Sequence, residues 1–223
     1  MCIKIGGVLH FSLLDYPDKI SAVLFTQGCP LRCVYCHNPN FQDINVQTNT
    51  TFDDVIKFLK TRVGLLEGVV FSGGEPLLQN NLYEAMKIVK NMGFLIGLHT
   101  SGCIYNNFIK VLQLVDWVGF DIKQVFHKYD EITQVTTSEL QVMKSFAVLL
   151  QSHKDYEIRT TVDTRHITYE DLLNIAKYLQ SNNVKEWILQ KCIIRDNNCN
   201  INVPFMSANQ VMELEKYIKV IVR

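Results

Sequence analysis

Cys29, Cys33 and Cys36 stand in the stretch TQGCPLRCVYCHNP with the spacing C-x3-C-x2-C, and His37 follows directly. Thiolates are soft metal ligands, and spacing this tight lets one loop wrap a compact centre with each sulfur on a different iron of a cubane. Three ligands leave one iron open, which is what a catalytic metal needs. Structural zinc with His37 as fourth ligand is the plainer alternative, although adjacent residues rarely ligate one ion without strain. Cys33 to His37 also spells the C-x-x-C-H of haem attachment, while a redox C-x-x-C would leave Cys29 without a use.

Other short runs carry unusual residue types. In SGGEP (72–76), Gly73 and Gly74 permit positive φ and close approach of the backbone to a ligand. Glu75 can accept a charge-assisted hydrogen bond from an ammonium group; its ordinary alternative is a solvated carboxylate favoured by a helix start. In DIK, Asp121 and Lys123 alternate with Ile122, so both side chains point to one side of a strand end. Their ordinary alternative is a surface ion pair of little weight. HTSG (99–102) offers the hydroxyls of Thr100 and Ser101. Cys2, Cys103, Cys192 and Cys199 fit no cluster spacing and take no ligand role; free cysteine is commonly a small buried hydrophobe.

The elements that must position these residues are legible as apolar runs alternating with amphipathic ones. Strands are expected over 21–26, 68–72, 94–99, 117–121, 156–162 and 187–190, mostly continuous apolar runs as in a buried parallel sheet. Helices are expected over 52–63, 82–91, 107–114, 138–151 and 169–181, with a final helix over 207–222. Thr51 or Asp53 caps the first, Ser138 the fourth, and Thr168 with Asp171 forms a capping box on the fifth. Strand and helix alternating six times implies βα units, hence an α/β fold with a parallel sheet, either open and doubly wound or an incomplete barrel. Both place ligands at the carboxyl ends of the strands, where the cysteine loop, SGGEP, HTSG and DIK all fall. No linker interrupts the series, so one domain is expected over residues 1–223.

The 223 residues are 48% hydrophobic and 20% charged, with 22 basic and 22 acidic side chains. That balance gives no global field for nucleic acid or an anionic membrane. Neither an export signal nor a run approaching the roughly 18 apolar residues of a membrane helix is visible, so a cytoplasmic location is expected. There, seven cysteines point to metal binding or catalysis rather than bridges.

Taken in order, C-x3-C-x2-C after a first strand, Tyr35 before its last cysteine, and GGE after the second strand resemble the radical S-adenosylmethionine (radical SAM) superfamily. SLLDYPDKISAVLFTQGCPLRCVYCHNP, VVFSGGEPLLQ, VDWVGFDIK and EIRTTV are similar to the activating proteins of anaerobic ribonucleoside-triphosphate reductase, over roughly residues 6 to 192. The resemblance implies a partial (β/α)6 TIM-like barrel, with a core over about 18–192. It implies that Cys29, Cys33 and Cys36 hold a [4Fe–4S] cluster whose open iron binds S-adenosylmethionine. Tyr35 would lie near the adenine, and Ser72, Gly73, Gly74, Glu75 and Thr100 would line the cofactor. Lys123 would reach its carboxylate with Asp121 nearby, and Arg159 would either face that carboxylate or pair with Asp121 or Glu157. His99 stands where related activating enzymes often carry Asp, the residue on which the monovalent-cation site of the pyruvate formate-lyase relatives is built, and whether that site survives here stays open.

The implied activity is reductive cleavage of S-adenosylmethionine and formation of a glycyl radical on the large subunit of the reductase, with flavodoxin or ferredoxin as electron donor. Activation of another glycyl radical enzyme, of the pyruvate formate-lyase type, is one alternative. A small-molecule radical enzyme such as 7-carboxy-7-deazaguanine synthase is another, and a non-catalytic metal-binding module is a third.

Overall fold

Apolar runs become strands and amphipathic runs become helices along most of the chain. The computed structural model describes residues 3–196 and 199–223. Two units can be distinguished: one takes the chain up to Pro30, Asn38–Gly119 and Gln141–Tyr156, the other Leu31–His37, Phe120–Leu140 and Glu157–Arg223.

In the first unit β1 (Ile5–Ser12) pairs antiparallel with β2 (Ser21–Thr26), and β2, β3 (Gly68–Gly73) and β4 (Leu95–Thr100) run parallel in the order β1-β2-β3-β4. The crossovers carry α1 (Phe52–Lys60), α2 (Leu82–Asn91) and α3 (Tyr105–Leu112). Parallel strands buried on both faces explain runs such as Val69, Val70 and Phe71, all fully buried. Tyr16 stacks on Trp117 with ring centroids 5.3 Å apart, against Val23 and Val70. Burial there pushes the Tyr16 phenol up to about 12.

The chain continues through β5 (Trp117–Asp121), α4 (Tyr129–Thr133), α5 (Ser138–Gln151) and β6 (Asp155–Val162). In the second unit β6, β7 (Glu186–Lys191) and β10 (Lys219–Val222) run parallel in that order. Between them come α6 (Tyr169–Ser181), an antiparallel pair β8 (Ile193–Asp196) and β9 (Cys199–Asn202), and α7 (Ala208–Leu214). Trp187 is fully buried and donates its indole N–H to Thr160 Oγ1 at 3.0 Å.

The expected α/β class with parallel strands is observed, and all six expected strands form within a residue or so of their bounds. Thr51 caps α1 in a capping box with Asp54, and Thr168 caps α6 with Asp171. The expected final helix over 207–222 is corrected. Ser207 caps only the short α7, and the β-branched run Lys219–Val222 pairs with β7 as a strand. An open sheet edge offers backbone partners that outweigh the weak helix preference of Val and Ile. The first helix ends at Lys60 rather than Val63, and the third begins at Tyr105. β1 was not anticipated. Cys2 lies outside the described residues, as does the Cys199 side chain.

Candidate active site

The cysteine loop leaves β2 through Gly28, whose φ of +102° favours glycine. In the first unit Gly28 N–H donates to Phe41 O at 2.8 Å and Cys29 N–H to Gln42 O at 3.0 Å. Gln27 is buried and donates its amide to Asn40 O at 2.8 Å and Asp43 O at 2.7 Å, pinning the returning chain. In the second unit Arg32 N–H and Val34 N–H donate to Thr133 O and Ile132 O of α4, and Cys36 N–H to Cys33 O. Five backbone N–H groups of the loop, those of Gly28, Cys29, Arg32, Val34 and Cys36, thus bond within the protein.

Cys29, Cys33 and Cys36 form no disulfide, and each is partly exposed. Burial pushes the Cys33 thiol up, while the Lys123 ammonium draws it back toward thiolate. Among the described residues no three His, Cys, Asp or Glu side chains gather as a set for one metal ion. A cubane makes a different demand, one thiolate to each of three irons. Three partly exposed cysteines outside any disulfide, on one loop, suit that demand.

SGGEP and HTSG come together in the first unit. Glu75 is 2% exposed, so the solvated reading of this carboxylate does not hold. Its Oε1 accepts from Thr100 Oγ1 at 2.6 Å and Leu77 N–H at 3.2 Å. Its Oε2 accepts from Ser101 N–H at 2.9 Å and Ser101 Oγ at 2.6 Å. Burial raises the Glu75 pKa, and these four bonds oppose the rise. The glycines serve close approach to the chain itself: a Cβ on Gly73 would overlap the backbone of Thr26, and one on Gly74 the carbonyls of Gly28 and Phe41. His99 bridges Ser72 Oγ (Nδ1, 3.3 Å) and the Asp15 carbonyl (Nε2, 2.8 Å).

DIK and RTT come together in the second unit. Asp121 Oδ1 meets Arg159 at 2.9 Å and Oδ2 meets Lys123 Nζ at 3.4 Å, so one carboxylate serves two cations. Glu157 pairs instead with Arg223, at 2.7 Å. Burial alone would lower the Lys123 pKa, but Asp121, with Cys33, Tyr35 and Tyr129, holds it well above the ordinary lysine value. Lys123 is therefore a cation largely, though not fully, shielded from water. Tyr35 is buried, its hydroxyl 3.4 Å from Lys123 O, and Tyr129 accepts from Lys123 N–H at 3.2 Å. Cys192 is buried and its thiol is pushed up to about 11, first by that burial and then by Asp163.

The three-cysteine loop directly after β2 is the feature shared with a known family. The Radical SAM superfamily matches residues 23–179, well over half of the chain. The chain belongs to the radical SAM superfamily. It is therefore an enzyme of the radical SAM class, and its family uses a [4Fe–4S] cluster and S-adenosylmethionine. A Methanocaldococcus jannaschii protein named as a glycyl-radical enzyme activating enzyme is 31% identical over 184 residues, covering 78% of this chain and 74% of that one. The pyruvate formate-lyase-activating enzyme of Clostridium pasteurianum is 36% identical over 127 residues, 55% of this chain and 53% of that one. Among solved structures, Streptococcus suis SuiB bound to S-adenosylmethionine shares the fold at TM-score 0.67 and 11% identity, over 88% of this chain and 48% of SuiB. Among the described residues no helix is long and apolar enough to cross a membrane.

Sequence reasoning missed Gln27 and Gln79, whose amides tie the cysteine loop to the chain start: Gln79 donates to Gln27 O at 2.7 Å and accepts from Lys4 N–H at 2.9 Å. The position of Gln27 beside Gly28 and Cys29 was the one available signal. Tyr129, which holds the Lys123 backbone, carried none.

Proposed function

We propose that this radical SAM enzyme activates a glycyl radical enzyme, and that its partner is the large subunit of an anaerobic ribonucleoside-triphosphate reductase. The observation that carries the reading is the set of three cysteines at C-x3-C-x2-C spacing directly after β2, none of them in a disulfide. In this reading Cys29, Cys33 and Cys36 ligate the cluster. As the family resemblance implies, Ser72, Gly73, Gly74, Glu75 and Thr100, and in the other unit Tyr35, Asp121, Lys123 and Arg159, each serve to line or position S-adenosylmethionine. When bound, the cluster would supply the electron for reductive cleavage of S-adenosylmethionine, the chemistry that would leave a glycyl radical on the partner.

The residues do the positioning. Lys123, held cationic by Asp121, offers a charge-assisted contact to the methionine carboxylate. Arg159, locked on the same aspartate, keeps that carboxylate oriented toward Lys123. The buried Tyr35 contributes an apolar ring and excludes water. Flavodoxin or ferredoxin supplies the electron.

The ordered motifs from SLLDYP to EIRTTV favour the reductase as partner. The similarity to pyruvate formate-lyase-activating enzymes favours a second reading, with a lyase as partner. Anaerobic incubation with reductant, S-adenosylmethionine and each candidate partner separates them by electron paramagnetic resonance. A glycyl doublet on the reductase supports the first reading, and one on the lyase alone the second. Cofactor cleavage without either signal assigns a small-molecule substrate.

A further inference from the structure

Glu75 is a buried carboxylate with all four of its acceptor positions occupied by its own chain. An ionised carboxylate has about four such positions, so an incoming ammonium group would have to displace one of these donors. Two of the four are backbone N–H groups, from Leu77 and Ser101, which cannot turn away as hydroxyls can. The Thr100 hydroxyl is also directed, because its oxygen accepts from Gly102 N–H at 2.9 Å and its proton is thereby left for Glu75. Gly102 sits at φ +70° and its carbonyl accepts from Ser145 at 2.7 Å, anchoring the far end of this loop.

The backbone of the same residue reaches in another direction. Glu75 N–H donates to Gly28 O at 2.9 Å, one residue before Cys29, and Gly74 N–H to Thr26 O at 3.0 Å. These contacts exist only because Gly73 and Gly74 lack a Cβ.

We propose that Glu75 is a positioning residue that joins the loops after β2, β3 and β4 into one frame, setting the Thr100 and Ser101 hydroxyls by its carboxylate and the Gly28–Cys29 backbone by its amide. It acts on the cofactor through these groups and makes no direct contact with the ammonium. The inference rests on reading the strand ends of the first unit as part of the S-adenosylmethionine site.

Gln at this position is a sharp probe. It offers one oxygen and one NH2, and whichever way the amide lies, either Leu77 N–H or Ser101 N–H faces a donor. The test measures anaerobic binding of S-adenosylmethionine, and of its analogue lacking the α-amino group, to cluster-loaded wild type, Glu75→Gln, Ser101→Ala and the double variant. Glu75→Gln is expected to weaken both ligands by the same factor, about tenfold. Ser101→Ala should lose affinity in the same sense, and the double variant should be no worse than the worse single, because both act through one network. In the metal-free chain, hydrogen exchange at Leu77 and Ser101 should quicken in Glu75→Gln. If Glu75→Gln does not fold, Ser101→Ala and Thr100→Val carry the test, each weakening the two ligands equally. Loss confined to the amino-bearing ligand, or unchanged affinity in every variant, overturns the proposal. Wild type that holds no iron and binds neither ligand would instead overturn the underlying site reading, a result distinguishable from both.

Discussion

Asp121 shows how much one side chain can decide. Its carboxylate lies between Lys123 and Arg159, whose side chains are 15% and 9% exposed. Removing the anion leaves two cations that are largely shielded from water without their shared partner. Asp121→Asn is therefore expected to lower the urea midpoint of the metal-free chain and to weaken S-adenosylmethionine. A change in neither would make the ion triad incidental. The cysteines yield a different kind of prediction. The loaded protein should be brown and carry about four irons, the stoichiometry of a cubane. Ala at Cys29, Cys33 or Cys36 should abolish S-adenosylmethionine cleavage, whereas Cys192→Ala should leave iron and cleavage intact, its thiol being a buried, protonated core group. Iron analysis and product assay of the four variants decide the assignment.

At the scale of elements, α6 and β10 bear the clearest expectations. Thr168 and Asp171 close a capping box at the start of α6, and Lys128 reaches Asp171 at 2.8 Å. Thr168→Ala should cost about 1 kcal/mol of stability, measured by chemical unfolding. Burial would raise the Asp171 pKa, but hydrogen bonds from Lys128 and Thr168 bring it below the ordinary carboxylate value. A carboxylate lowered in the native state adds stability that is present above about pH 4 and lost as pH falls through the native value. Glu75 has the opposite sign. Its native pKa is raised, so its contribution declines as pH rises from about 4.5 through the native value. Glu75→Gln should remove that decline from the pH–stability curve while Thr168→Ala leaves it in place. The strand β10 brings Arg223 onto Glu157, a side chain 8% exposed. Arg223→Ala should destabilise by about 1–2 kcal/mol, because it leaves the Glu157 carboxylate without its guanidinium fork, at a half-exposed arginine. A shift under a few tenths would mean that β10 is held by its backbone alone.

For the molecule as a whole, the activity prediction is that a glycyl radical forms on an anaerobic ribonucleotide reductase and only weakly on pyruvate formate-lyase. Hydrogen abstraction demands near-contact geometry, and positioning supplies much of any catalytic advantage, so the partner's glycine has to be brought close to the cofactor. The sequence by itself determined the class: three thiols at C-x3-C-x2-C are a local pattern, and local spacing survives without knowledge of the fold. Apolar runs and capping residues likewise located six strands and most helices, because burial periodicity and caps act within a few residues. What needed tertiary structure was every property that depends on who stands opposite. The run KVIV became a strand because β7 offers an unpaired edge, and β1 formed because β2 does. Gly73 and Gly74 turned out to make room for Thr26 and Gly28, and Glu75 proved to be saturated by Thr100 and Ser101, some 25 residues distant in sequence. Spacing names the chemistry a chain can carry, but hydrogen-bond partners separated along the chain are chosen only when packing brings their acceptors and donors within reach.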